Sequence, residues 1–181
     1  SHADKGLNSF TLTGELIGQD TGKISLSYQL NESRFNGTGI IKDGKFIFAS
    51  VIQEPVRVTL NLENKENNVR FFIEPGDMKI VLYHDDFKNY ELSGSKTQEE
   101  MNLLREMFDP VFDRMGILRK QEVIIRDSIR NSTSITQREK FEKMLGETIH
   151  QRYKANEDQD SVTLKFAKEH PNSYVAPRYL F

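Results

Sequence analysis

At 181 residues the chain has room for one large or two small domains with a real core. A formal net charge of −2 gives no strong pull toward nucleic acid or an anionic membrane surface, and no run of about 18 apolar residues is present to span a bilayer. The sequence contains no cysteine, which excludes a disulfide, a thiolate nucleophile or a Cys-ligated metal within it.

Ser1-His2-Ala3 reads as an expression-tag remnant, so residues 1–7 are set aside as tag or disordered. From there to Gly94 the apolar residues recur with the period of two that marks half-buried strands. Phe10, Leu12, Gly14 and Leu16 form the first strand, and Ile24, Leu26, Tyr28 and Leu30 the second. Residues 31–37, with Asn36-Gly37, read as a polar loop. Asp43-Gly44 lies between Ile40-Ile41 and Phe46-Ile47-Phe48, a strong two-residue hairpin signal because both central residues need positive φ. Val56 to Leu62, Val69 to Ile73, Met78 to Leu82 and Tyr90-Leu92 complete about eight short strands, with a turn at Pro75-Gly76-Asp77. That spacing predicts an antiparallel β-sandwich or flattened barrel over residues 8–95.

At Thr97 the period changes. Thr97 to Glu100 reads as a capping box. Met101, Leu104, Phe108, Val111, Met115, Leu118, Glu122, Ile125 and Ile129 then follow at alternating spacings of three and four, all apolar except Glu122. This is a helix with one narrow seam, interrupted by Pro110, which removes a backbone bond and predicts a kink. Thr136 to Glu139 reads as a second capping box, with Phe141, Leu145, Ile149 and Tyr153 recurring every four residues behind it. His170-Pro171 stops that helix, so residues 96–171 form a helical hairpin. The α+β class follows. The first helix is longer than a sandwich of short strands, so part of its seam is expected to overhang. The expected consequence is a homodimer through Met101, Leu104, Phe108, Met115, Leu118 and Ile125. Residues 172–181, with Asn172-Ser173 as a cap, read as the start of a linker or helix toward a further domain.

The residues show no catalytic, cofactor-binding or metal constellation. His84-Asp85-Asp86 is the one His/carboxylate cluster, but three consecutive residues do not converge in space, and a solvated loop is the simpler reading. His150 and His170 read as a surface and a helix-end residue. Glu122 interrupts the seam: a buried acid with a raised pKa is one reading, and an exposed stretch of seam or a pair with Arg126 at i+4 are the simpler ones. Gly37-Thr38-Gly39 opens a strand rather than a helix, against a phosphate loop, and Ser93-Gly94-Ser95 lacks the order of a nucleophile elbow. Phe35 and Phe72 fall off the inward phase, where a ligand platform and a lone exposed ring are alternatives.

Four segments in order carry a family resemblance: Phe10 to Gly14, Asp43-Gly44-Lys45-Phe46-Ile47-Phe48, Phe72-Ile73-Glu74-Pro75-Gly76-Asp77 and Leu92-Ser93-Gly94-Ser95, followed by a helical region and His170 to Ser173. This resembles the β-rich domain of unknown function that precedes the thioredoxin-like domain in bacterial thiol-disulfide oxidoreductases of the TlpA and alkyl-hydroperoxide-reductase/thiol-specific-antioxidant type. The resemblance implies an exported, periplasmic or envelope protein, lipid-anchored in many cases, whose chemistry lies in a following Cys-x-x-Cys domain. It therefore implies a non-catalytic N-terminal module for partner docking, dimerisation or domain spacing, partnered by that thioredoxin-like domain, with no cofactor and no site residue to carry over. The alternatives are a ligand-binding sandwich for an envelope glycan or peptide, and a free-standing enzyme, which the residue inventory argues against.

Overall fold

The computed structural model describes residues 8–30, 32–63 and 66–179; the expectation for residues 1–7 lies outside them. The chain divides into two compact units between Glu99 and Glu100. The first is a mostly antiparallel eight-stranded sheet curled into a half-barrel. Its strands are β1 (Ser9–Ile17), β2 (Thr21–Leu30), β3 (Ser33–Lys42), β4 (Lys45–Val51), β5 (Val56–Leu62), β6 (Asn68–Ile73), β7 (Gly76–Tyr83) and β8 (Glu91–Ser93). Their spatial order is β6-β5-β2-β3-β4-β1-β7-β8.

The period-two pattern holds in most of the strands, and it fails in β6, where Phe71, Phe72 and Ile73 are all buried. Phe10, Leu12, Leu16, Ile24, Leu26, Leu60, Phe71, Ile80 and Leu82 are at most a few per cent exposed and belong to one cluster. That cluster, with Leu92 of β8 packed against it, draws on all eight strands. Strands β3 and β4 share a single register pair, Lys42 with Lys45, beside the Asp43-Gly44 turn. Asp43 (φ 51°) and Gly44 (φ 70°) both take the left-handed conformation that the two-residue hairpin requires. A Cβ on Gly39 of β3 would sit 3.1 Å from the Phe48 ring of β4. Across the β1–β4 pair, Gly14 faces Phe46, whose ring occupies the place of a Gly14 side chain, 1.9 Å from where its Cβ would be.

Three details differ from the sequence reading. Residues 33–37 are strand, not loop: β2 and β3 pair over Leu30↔Ser33 to Thr21↔Lys42. Arg34, Asn36 and Thr38 face solvent, while the inner face carries Gly37 and Gly39, which hide the apolar alternation. Phe35 consequently lies on the inner phase, stacked on Tyr28 with centroids 4.7 Å apart. Phe72 is buried at 6 % exposure and is no exposed platform. Finally, β7 runs parallel to β1, pairing Phe10↔Gly76 through Ile17↔Tyr83, so the sheet is not wholly antiparallel.

The two edge strands are closed by side chains rather than by a ladder. Ser95 Oγ donates to Phe72 O at 2.8 Å, Phe72 N–H donates to Gln98 Oε1 at 2.8 Å, and Tyr90 OH donates to Arg70 O at 3.3 Å. These bonds satisfy outward groups of β6 that would otherwise invite another strand. The same residues start helix α1 (Lys96–Arg130). Ser95 is its cap, accepting from Gln98 N–H at 3.1 Å. Glu74 accepts from the Lys96 and Thr97 N–H groups, each at 2.9 Å, and from the Thr97 hydroxyl at 2.5 Å. A carboxylate there complements the positive end of the helix dipole. The cap therefore lies two residues before the expected Thr97 box, because Thr97 is engaged by Glu74. The second helix, α2 (Ile135–Glu169), is shifted likewise: Ser134, not Thr136, caps it by accepting from Gln137 N–H at 3.2 Å.

The second unit is a helical hairpin of α1 and α2. Leu104, Phe108, Val111, Met115, Leu118 and Ile125 are buried as the seam predicts. Leu104 and Phe108 cluster with Phe166, Val175 and Ala176, and Val111, Met115 and Leu118 with Ala155. Of the six residues expected to carry a homodimer, Leu104, Phe108, Met115 and Leu118 belong to these clusters, Met101 packs against the first of them, and Ile125 is buried. On α2 the expected four-residue stripe does not hold. Tyr153 is 62 % exposed, and the buried line runs through Thr148, Ala155, Thr163 and Phe166. A strict spacing of four drifts around a helix of 3.6 residues per turn, and small or polar residues hide the true seam. Helix α1 passes unbroken through Pro110 as one element. Ser173 caps the closing 3₁₀ turn, accepting from the Val175 and Ala176 N–H groups and donating to buried Glu100 at 2.6 Å.

Candidate functional site

The parallel pairing of β1 and β7 brings two strand ends to one place, Ile17 beside Tyr83. The chain then turns through a 3₁₀ turn, His84–Asp86. Phe87, 4 % exposed and part of the core cluster, pins this turn from beneath. Asn89 locks it from above: its N–H donates to Asp86 O at 3.0 Å and its side-chain amide to Asp86 Oδ2 at 3.1 Å. Asn67 donates to His84 O at 3.2 Å. The result is a concave site of about 610 Å³ lined by Ile17, Gly18, Tyr83, His84, Asp85, Asp86, Asn89, Tyr90 and Glu91.

Its side chains are arranged by short polar contacts. Tyr83 OH donates to Glu91 Oε1 at 2.7 Å, and this bond to a carboxylate raises the phenol above its ordinary pKa. His84 Nδ1 lies 3.0 Å from Asp85 Oδ1. The Tyr90 ring leans on Phe71, centroids 5.7 Å apart, with its hydroxyl on the β6 edge. Three carboxylates and two tyrosine rings make a negative, partly apolar surface suited to a polar or cationic group. Among the described residues no three His, Asp or Glu side chains are placed to hold one metal ion.

The sequence cluster His84-Asp85-Asp86 thus does line a concavity, but as one rim of it. The residues that complete the site, Tyr83, Tyr90 and Glu91, were not singled out; two tyrosines bracketing an acidic turn at strand ends were the available signal. The other candidates disperse. His170 ends α2 and stacks on Phe166, centroids 4.5 Å apart. His150 is exposed. Glu122 sits in the seam of the hairpin with its side chain 13 % exposed, accepting from Arg126 at 2.8 Å and lying 3.4 Å from Arg152. The Arg126 hydrogen bond holds its carboxyl below the usual range against the opposing effect of desolvation, with Arg152 assisting. Gly37 and Gly39 serve ring packing, and Ser95 serves capping and edge closure.

Residues 10–101 match the family model described as Domain of unknown function (DUF4369). The chain belongs to this family. The matched span takes in all eight strands except Ser9, the concave site and the Glu74–Ser95–Gln98 network that starts α1, and it stops at Met101. No curated protein matches the chain.

Proposed function

We propose that this DUF4369 chain is the non-catalytic N-terminal module of an exported thiol-disulfide oxidoreductase, serving partner docking, dimerisation or domain spacing. The observation that supports this most is how the family-matched residues are used. Gly14 and Phe46 pack on each other, Gly44 makes the turn, and Glu74 and Ser95 start the helix. All are engaged in structure, and with no cysteine in the sequence the thiolate that disulfide exchange needs lies elsewhere. The resemblance to domains that precede a thioredoxin-like domain supplies that location. The test is activity of the native gene product expressed whole. It should reduce insulin disulfides and lose that activity when the first cysteine of its pair is replaced by serine, whereas the 181-residue chain should be inert. A gene product without a cysteine pair would sink this reading.

A second reading, a ligand-binding module for an envelope peptide or glycan, draws on the concave site beside Tyr83 and Glu91. Two rings and several polar groups on one rim are the features such a site needs.

A further inference from the structure

The outer face of the sheet differs between its two halves. On β1, β4, β7 and β8 both signs of charge are interleaved, and Lys79 lies 3.9 Å from Glu15. On β3, β2, β5 and β6 the pairing sets the outward side chains in rows that cross the strands. Asn36, Ser27, Thr59 and Arg70 form the middle row. Thr38, Ser25, Asn61 and Asn68 form the row on one side of it. Arg34, Gln29 and Arg57 form the row on the other side, which ends at the buried Phe72. In a chain of net charge −2, these rows hold three arginines and no carboxylate. Arg34, Arg57 and Arg70 are exposed, and among the described residues their side chains make no ion pair or hydrogen bond. Carboxylates flank the rows only in the turns, Glu32 and Glu54 at one end and Glu63 and Glu66 at the other. Glu74, beside the first pair, is occupied by the start of α1.

We infer that this face binds an acidic polysaccharide, a chain of sugars that carries carboxylates. Strand spacing places the Arg57 Cβ about 8 Å from that of Arg70 on the diagonal and about 10 Å from that of Arg34, two strands away. One small anion does not span those distances, so the complementary ligand carries several anionic groups set apart. Each guanidinium offers a planar fork that takes a carboxylate at two points. Between the arginines stand Gln29, Ser27 and Thr59, whose amide and hydroxyl groups match sugar hydroxyls. Other polyanions fit the rows less well. The backbone groups of β2 and β5 are taken up by ladders on both sides, so a peptide finds no main-chain partner there. The rows present no exposed ring on which a nucleic-acid base would stack, and no exposed apolar side chain to enter a lipid surface. This face shares no residue with the concavity beside Tyr83. The inference does not rest on the redox reading and fails separately from the insulin assay.

The probe is a fluorescently labelled oligogalacturonate long enough to cross the four strands, titrated with the 181-residue chain and followed by anisotropy. It should bind at low salt and more weakly as salt rises, and a neutral dextran of equal length should not bind. Arg57→Gln and Arg70→Gln should each weaken binding about tenfold, with melting unchanged because both side chains are exposed. Thr59→Val keeps every charge in place and should weaken it about threefold through the lost hydroxyl. Lys79→Gln removes the same unit of charge from the other half and should leave binding as it was. Absence of binding at low salt would overturn the inference, as would an affinity unmoved by Arg57→Gln and Arg70→Gln together. So would poly-glutamate or anionic phospholipid vesicles bound as tightly as the oligogalacturonate, since the face would then read charge alone.

Discussion

In the β unit the inward glycines Gly14, Gly37 and Gly39 each lie under an aromatic ring, whereas in the helical unit Gly116 and Gly146 face open space with nothing within 4 Å. The difference follows from how the two interiors are made. A curled sheet brings strands distant in sequence onto one centre, so each inner position is met from several directions, and rings fill what glycine leaves. A two-helix hairpin buries one line of side chains and leaves the rest of each helix to solvent. The β unit is thus saturated by its own residues. The helical unit retains slack, and its exposed Phe112, Val123 and Tyr153 belong to that slack.

The sharpest way to break this contrast is at Gly14. Gly14→Val must drive the Phe46 ring from its place, and overpacking of that kind should cost about 3 kcal/mol or more in a denaturant titration followed by the sheet signal. An unchanged midpoint would mean that the ring has a second place to go and that the β interior is not saturated. A smaller effect is expected at the hairpin. Gly44→Val puts a β-branched residue at φ 70° with its Cβ 3.0 Å from the Leu16 carbonyl oxygen, and should cost about 1–3 kcal/mol. Unaltered melting would remove the Asp43-Gly44 turn as the anchor of the β3–β4 corner. The smallest effect has the opposite sign. Gly146→Ala, in a helix interior with room for the methyl group, should stabilise the helical unit by about 0.5–1 kcal/mol in dilute solution. A loss of helical stability there would show that the face is closely packed.

Several features were legible from residues alone because they depend on neighbours in the chain. The strand period, the Asp43-Gly44 turn, the α1 seam and the ends of both helices at Arg130 and Glu169 are local, and all appear where the spacing puts them. The α2 seam was legible only in part, since Thr148 and Ala155 carry no apolar signature. Both helix starts were read two residues late for different reasons. Ser134 was passed over for an equally good Thr136, while Thr97 is claimed by Glu74 from across the sheet.

The candidate site was less legible still. The acidic turn His84–Asp86 could be named, but its neighbour Ile17 is brought beside Tyr83 only by the parallel pairing of β1 with β7. A turn at Pro75–Asp77 says that the chain changes direction, not which strand it joins next. By itself, then, the sequence determined the elements, their faces and the absence of a thiolate, because periodicity, turn chemistry and composition act over a few residues. The tertiary structure decided what lies beyond that reach: the strand order, the rings over Gly14 and Gly39, the helix cap supplied by Glu74 and the concavity beside Tyr83. Those depend on pairings between residues tens of positions apart, for which many partners satisfy the same alternation and only the packed whole selects one.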